Sequence, residues 1–222
     1  MKVEIWSDVA CPFCYIGKAH FDKAIEKFEK RDEIEVVWKS FLLDPTLPND
    51  TDQDIFTSLA ERKQMPPAQV KEMTAHVQSM AENAGIKMDF NRVKPVNTTK
   101  AHRLLQLAKS EGKGAEMKVR LLKAYFAEGA NVANRDELVA LAGDVGIKPE
   151  QVDEALTNGK YQDALDADLQ EARDFRITGV PFFVVDRKYG ISGAQPAEVF
   201  SENLKKAFSE WETEKAAMQN ND

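Results

Sequence analysis

The sequence predicts an α/β protein in which a β-α-β half and a β-β-α half of one sheet, residues 1–45 and 175–214, are separated by a large all-helical insertion, residues 46–174, and followed by a tail, residues 215–222. Three observations carry this expectation. Strand-type apolar runs occur only towards the two ends of the chain. Between them, helical apolar spacing recurs with glycine stops. Neither pair of strands is able to bury a core alone, so the two ends must share a sheet.

The elements follow in order. Val3 and Ile5 alternate with Glu4 and Trp6 before Asp8–Pro12 breaks the pattern, which predicts a short strand ending in a turn. From Pro12 a helix is expected to about Lys30, with Phe21, Ala24, Ile25 and Phe28 on its apolar face and the charge run Glu26–Glu35 in water. A second strand, Ile34–Trp38, then pairs parallel with the first, because a crossover helix of this length favours that arrangement. In the central block, Val70, Met73, Val77, Met80, Ala81 and Ala84 step by three and four up to Gly85. Leu104, Leu105 and Ala108 precede Gly112, and Val119, Leu122, Tyr125 and Phe126 precede Gly129. Asn134 with Glu137 reads as a capping box opening a helix to Gly146, and Pro149 as the first residue of another ending near Gly159. Phe182–Val185 is a buried strand and Tyr189–Ser192 its hairpin partner. Val199, Leu204, Ala207, Phe208 and Trp211 form the last helix, and Met218–Asp222 a frayed end. No repeat of fixed period appears, which excludes a solenoid.

Composition narrows the function. The 222 residues are 43% hydrophobic and 30% charged, with 11 Gly and 9 Pro, which excludes collagen-like, low-complexity and disordered classes. The 30 basic residues against 37 acidic ones give a net charge of −7, so nucleic acid is not expected as a partner. Glu4 and Asp8 interrupt the ~7–15-residue apolar stretch a signal peptide needs, and no run approaches the ~18 apolar residues of a membrane span. The expectation is a cytoplasmic protein without a membrane partner.

There are 2 cysteines, Cys11 and Cys14, which cannot form the multi-bridge framework of a small secreted protein. Their CxxC sits where strand gives way to helix. Unpaired N–H groups and the positive end of the helix dipole there stabilise a thiolate, so Cys11 is expected to be the nucleophile with a pKa below the free value of about 8.5. Cys14, one turn on, is placed to resolve a mixed disulfide. Pro12 supplies a helix-ready φ and gives up an N–H that the first turn does not use. A zinc site needs about four ligands, and His20, His76 and His102 show no ligand spacing, so no metal is expected. Gly179-Val180-Pro181 stands directly ahead of the buried strand. A proline there calls for a special reason, such as a cis peptide.

The run Ser7-Asp8-Val9-Ala10-Cys11-Pro12-Phe13-Cys14-Tyr15-Ile16-Gly17, together with Thr178-Gly179-Val180-Pro181-Phe182-Phe183 and Ile191-Ser192-Gly193-Ala194-Gln195-Pro196, resembles the DsbA-like thioredoxin-fold family, specifically its FrnE-type branch. The resemblance implies a thioredoxin-like core split by a helical insertion, Cys11 as nucleophile and Cys14 as resolving thiol. It further implies substrate-binding roles for Pro12, Phe13, the Val180-Pro181 loop, Asn97 and His102, the last two on an insertion segment facing the site. The implied activity is thiol–disulfide exchange on a protein or small-molecule substrate, with no required cofactor and with glutathione as a redox partner. Glutathione-using relatives in the same superfamily carry serine at the position of Cys11 and a Ser-Asp pair where this chain has Ala194-Gln195. These departures favour thiol–disulfide exchange, and a glutathione-dependent isomerase or transferase acting on a small aromatic or polyketide-like compound is the alternative. A chaperone-like binding protein using the cleft is a third.

Three features have plainer readings. His102, on a helix rich in Lys100, Arg103 and Lys109, is expected at the surface or half-buried rather than as an acid or base. Asp8 is expected to cap its loop rather than to accept protons, with its charge opposing the dipole at Cys11. Met65, Met73, Met80, Met88 and Met117 are read as core filler.

Overall fold

In the computed structural model, which describes residues 1–157 and 159–219, four strands form one sheet in the order β2-β1-β3-β4. They are β1 (Lys2–Ser7), β2 (Glu35–Ser40), β3 (Phe182–Val185) and β4 (Tyr189–Ser192). β1 pairs parallel with β2, from Lys2 opposite Glu35 to Ser7 opposite Ser40, and antiparallel with β3, where Ile5 faces Phe183. The two ends of the chain therefore share one sheet, with β1 at its interior.

Nine helices are seen among the described residues. α1 (Pro12–Glu26) makes the crossover from β1 to β2, and α9 (Ala197–Gln219) packs beside it. Phe21, Phe183 and Phe200 interlock at ring separations of 5.4, 5.6 and 4.5 Å, over the same sheet face as Val3 and Ile5. Between β2 and β3 come α2 (Ile55–Lys63), α3 (Pro67–Asn83), α4 (Thr99–Ser110), α5 (Gly114–Lys123), α6 (Arg135–Asp144), α7 (Pro149–Thr157) and α8 (Gln162–Asp174). Their core runs through Val77, Leu104, Leu121, Phe126, Leu138 and Val152, and it takes in Val9 and Ile16 from around the start of α1. The insertion is thus packed directly onto the end of the sheet that carries the cysteines.

Several expectations are corrected. Glu4 and Trp6, assigned by alternation to the outward face of β1, are buried, because α8 and the residues after it cover that face with Ala172, Phe175 and Ile177. The Trp6 indole N–H donates to the Asp168 carbonyl at 3.0 Å, and Arg187 forks onto Glu4 at 3.0 and 2.9 Å. α1 stops at Glu26 rather than Lys30. The chain turns there so that Phe28 packs edge-on against Phe208, and a 3₁₀ turn at Arg31–Glu33 follows. β2 continues past Trp38 to Ser40, since Ser7 offers a pairing partner. Asn134 caps α6 by accepting from the N–H groups of Asp136 and Glu137, but Glu137 reaches back to the N–H of Asn131 and not to Asn134, so the box is incomplete. α9 extends to Gln219, which makes residues 215–219 helical. The remainder of the expected tail, 220–222, lies outside the described residues.

After α5 the chain winds through a π-helical turn, Ala124–Glu128, and stops at Gly129 with φ +75°. A Cβ at that glycine would meet the Arg92 carbonyl at 2.7 Å, so both the left-handed backbone and the close approach require its absence.

Candidate active site

β1 delivers Ser7 and Asp8 to the end of the sheet, and Cys11 is the N-cap of α1. Its backbone is extended, with φ −97° and ψ 111°, and its side chain makes no capping bond, so the sulfur is left free for other partners. Pro12 opens the helix. Cys14 follows one turn later, with its N–H donating to the Cys11 carbonyl at 3.1 Å. Both cysteines are free thiols and both are buried, yet only Cys11 lies on the wall of a cavity. The Cys11 thiol donates to the Val180 carbonyl at 3.3 Å, which ties the helix start to the loop leading into β3. The Val180–Pro181 peptide in that loop is cis. Gly17, one turn beyond Cys14, lets this loop approach: a Cβ there would meet the Pro181 ring at 3.0 Å and the Ala194 backbone at 3.3 Å.

The cavity, about 520 Å³, opens between the start of α1 and the insertion. Its walls are mainly apolar: Leu43, Leu59, Val77, Phe90 and Phe126 among them, with Cys11, Pro12, Phe13 and Val180 at one end. Phe13 is 39% exposed and stands at its rim. The structure thus brings five of the expected site residues together: Cys11, Pro12, Phe13, Val180 and, beneath the loop, Pro181. Cys14 lies behind Cys11. Asn97 and His102 do not line the cavity. Asn97 fixes the insertion loop, donating to the Pro45 carbonyl at 2.8 Å and accepting from the N–H of Thr99. His102 is fully buried, contrary to the expected surface position.

His102 is buried because Asp8 is. The Asp8 carboxylate accepts from the Leu43 N–H at 2.7 Å, the Thr98 hydroxyl at 2.8 Å, His102 Nε2 at 3.2 Å and the Ala10 N–H at 3.3 Å. Burial opposes its charge, but the bonds from His102, Leu43 and Thr98 prevail and hold its pKa below the ordinary value. The His102 pKa is lowered, chiefly by burial, against the pull of Asp8. The hydrogen-bond pattern agrees with a neutral ring: Nε2–H donates to Asp8 while Nδ1 has no partner, and protonating Nδ1 would bury an unsatisfied N–H. Asp8 is more than a loop cap, since it clamps β1, the β2–α2 segment and α4 around one buried negative charge.

The two sulfurs divide their protons unequally. The Cys14 pKa is lowered although burial works against it, because its neighbour Cys11, the Lys118 ammonium, Ser7 and the Asp8 backbone all favour its thiolate. Ser7 Oγ, buried and without a partner at bonding distance in the dithiol, is poised for that charge. The Cys11 pKa is raised by the proximity of Cys14, by burial, and by the charge of Asp8. The direction at Cys11 runs against the expected lowering: burial beside Cys14 and Asp8 opposes its charge, and of the two sulfurs the inner one ionises the more readily.

Lys118 of α5 was not singled out by the sequence pattern, which put Val119 on the buried face. Val119 is in fact 37% exposed while Lys118 is 1% exposed. Its position in line with Leu122 and Tyr125, at steps of four and seven, was the available signal. Among the described residues, no cluster of three or more His, Cys, Asp or Glu side chains is arranged to hold a metal, and no helix is long and apolar enough to cross a membrane.

A βαβ unit and a β-hairpin in one sheet, a dithiol at the start of the first helix and a proline loop beside it define a thioredoxin-fold protein of the dithiol type. Residues 2–205 match the model of the DSBA-like thioredoxin domain family, and the chain belongs to that family. It is 33% identical over 206 residues to the protein YwbO of Bacillus subtilis (strain 168), covering 92% of this chain and 96% of that one. Among solved structures it resembles a probable DsbA oxidoreductase, SCO1869, from Streptomyces coelicolor, with TM-score 0.90 and 40% identity over 95% of this chain and 91% of that one. The cytosolic disulfide reductase DsbM from Pseudomonas aeruginosa, solved with GSH, shares the fold at TM-score 0.65 and 17% identity, over 94% and 100% of the two chains.

Proposed function

We propose that the protein is a thiol–disulfide oxidoreductase of the FrnE-type branch, with Cys11 as the attacking and Cys14 as the resolving sulfur. The observation that carries this reading is the asymmetry of the pair. Cys11 borders an open apolar cavity and donates to the Val180 carbonyl, while Cys14, one turn on, is buried and has no place on that cavity wall. Loss of the Cys11 proton puts the thiolate on the accessible sulfur. That thiolate attacks a substrate disulfide, one half of the substrate leaves as a thiol, and Cys14, once ionised, displaces the other half from Cys11. The substrate gains two electrons and the pair becomes a disulfide.

The cavity favours a disulfide or thiol carrying an apolar group, with the backbone of the Val180-Pro181 loop aligning the chain on either side of the sulfur. Pro12 and Phe13 form the near wall. Glutathione is the proposed electron partner and the cytoplasm the proposed compartment, in line with the shared fold of a cytosolic reductase solved with GSH. On this reading Asn97 and His102 act indirectly, through the loop and the Asp8 cluster.

The test is insulin reduction and refolding of a scrambled disulfide substrate. Cys11→Ser should abolish both, and Cys14→Ser should accumulate a mixed disulfide at Cys11 detectable by mass spectrometry. Full activity in Cys11→Ser would overturn the proposal. Saturable glutathione binding with turnover that survives Cys14→Ala would instead support an isomerase or transferase.

A further inference from the structure

Besides Cys11, four buried polar side chains among the described residues stand on the cavity wall: Asp8, Thr74, Thr98 and Tyr125. Three are engaged by the protein itself. Asp8 accepts the hydrogen bonds described above, one of them from the Thr98 hydroxyl, and the Thr74 hydroxyl donates to the Val70 carbonyl at 2.9 Å. Tyr125 is different. It is 2% exposed, yet no group among the described residues bonds to its hydroxyl, and that oxygen is not among the polar atoms sealed in the interior. The hydroxyl therefore opens onto the cavity that the residue lines. A buried phenol ordinarily has a hydrogen-bond partner, and leaving it without one is destabilising.

The fold holds this donor in place. Tyr125 belongs to the π-helical turn Ala124–Glu128, a feature that recurs at functional sites, and the turn sets Tyr125 and its neighbour Phe126 on the same wall. The turn is anchored by the Ala130 N–H on the Ala124 carbonyl at 3.0 Å and the Asp89 N–H on the Phe126 carbonyl at 2.8 Å. The Tyr125 ring stands edge-on to Phe126 at 4.9 Å, and Phe126 edge-on to Phe90 at 6.2 Å. Burial and then the Asp8 charge keep the phenol protonated, against the pull of Arg62, so it is available to donate. Arg62 is itself taken up by Asp44 at 2.8 Å. An anionic group would meet the Asp8 charge on the same wall, which leaves a neutral oxygen as the fitting acceptor.

We propose that Tyr125 is a specificity-determining residue of this cavity, its hydroxyl donating to a carbonyl oxygen on an aromatic or similarly apolar thiol or disulfide whose sulfur meets Cys11. The inference rests on the reading of Cys11 as the attacking sulfur and deepens it by naming the substrate class. A substrate without that oxygen fills the same apolar walls but leaves the phenol buried and unpaired, so it is selected against.

Acetophenone and cumene test the assignment without redox chemistry, because they match in shape and one carries a carbonyl oxygen where the other carries a methyl group. In NMR titrations of the reduced full chain, Tyr125→Phe should lower the preference for acetophenone over cumene about fivefold, the size of one net hydrogen bond. A purely structural hydroxyl would change both affinities alike, so a preference unaltered in the folded variant overturns the proposal. Tighter binding of benzoate than of acetophenone to the wild type overturns it as well. Should Tyr125→Phe fail to fold, isotope-labelled tyrosine in the wild type should show the Tyr125 phenol carbon shifting with acetophenone and not with cumene, and equal shifts overturn the assignment. With para-acetylphenyl and para-isopropylphenyl disulfides as substrates, Tyr125→Phe should raise KM for the first about fivefold relative to the second, and equal changes overturn it. A wild type that turns over neither disulfide while still preferring acetophenone in a Tyr125-dependent way defeats the oxidoreductase reading and supports the role of Tyr125 in the cavity.

Discussion

Thr98→Val isolates one bond of the cage around Asp8. Valine matches threonine in shape, so the change removes the hydroxyl that donates to Asp8 at 2.8 Å and little else. Thr98 is 4% exposed and Asp8 1%, so the lost bond is a buried one. A hydrogen bond to a charged group contributes about 1.5–3 kcal/mol, and the same bond to the protonated acid about 1 kcal/mol. The variant should therefore lose about 1.5–3 kcal/mol at pH 7, and the difference between the two protonation states raises the folded-state pKa of Asp8 by about one unit. The sign follows from linkage. The folded pKa of Asp8 lies below the ordinary 3.8, so its contribution is complete above that value and is lost as pH falls through the folded pKa. Thr98→Val brings the two pKa values together, so the gap between variant and wild type should narrow to about 1 kcal/mol at the acid end. His102 loses stability on acidification in both proteins, because its folded pKa is also depressed, and that effect cancels in the comparison. Urea unfolding at a series of pH values from neutral to about 2.5 measures the gap. A loss under about 0.5 kcal/mol at pH 7, or a gap independent of pH, would refute the role given to the Asp8 charge.

Two further outcomes are expected. Asp168→Ala should cost about 3–5 kcal/mol in chemical denaturation, since its carboxylate accepts from the Ser40 N–H at 2.9 Å and from Gln106 at 2.6 Å and pairs with Lys39 at 3.1 Å in a site where the carboxyl is 5% exposed; a loss under 1 kcal/mol would mean that α8 is held on the sheet by other contacts. Leu59→Trp, on the cavity wall, should raise KM severalfold for an aromatic disulfide while leaving exchange with glutathione disulfide within twofold; equal effects on both would remove the cavity from substrate recognition.

Most of this architecture was legible in the residues. β3 and β4 fall at Phe182–Val185 and Tyr189–Ser192 as the apolar run and hairpin spacing indicate, and glycine stops mark the ends of several insertion helices. What escaped has a common cause. α8 reads DALDADLQEARD after its first glutamine, and its core-facing positions are Leu165, Asp168 and Ala172, so an aspartate holds the place where periodicity looks for an apolar residue. α2 buries little beyond Ile55 and Ser58. Alternation placed Glu4 on the outward face and His102 was expected at the surface or half-buried, yet each is buried because a group distant in sequence, Arg187 or Asp8, makes burial tolerable; Lys118, which the pattern passed over, is buried with its ammonium on the Ser7 carbonyl. Hydrophobic pattern locates apolar faces; it is blind to polar side chains whose partners lie on another element. The CxxC was found because its meaning is local. The division of charge between its two sulfurs was not, because that depends on what the insertion brings behind them.

The interior place of β1 has a bearing on how the chain acquires its shape. One neighbour, β2, lies some thirty residues away, but the other pairs Val3 with Val185, across almost the whole polypeptide. The helices between rely largely on nearby neighbours, such as α4 with α5 and α6 with α7. Segments with short-range partners close quickly, whereas joining distant ones waits on a large entropic search. On a ribosome the first strand therefore emerges long before its second flank exists, and the hydrophobic stretch Val3–Trp6 stays open on that edge until the last fifth of the protein has been made. The helical region is available to collapse first and to shelter the cysteine turn during that interval.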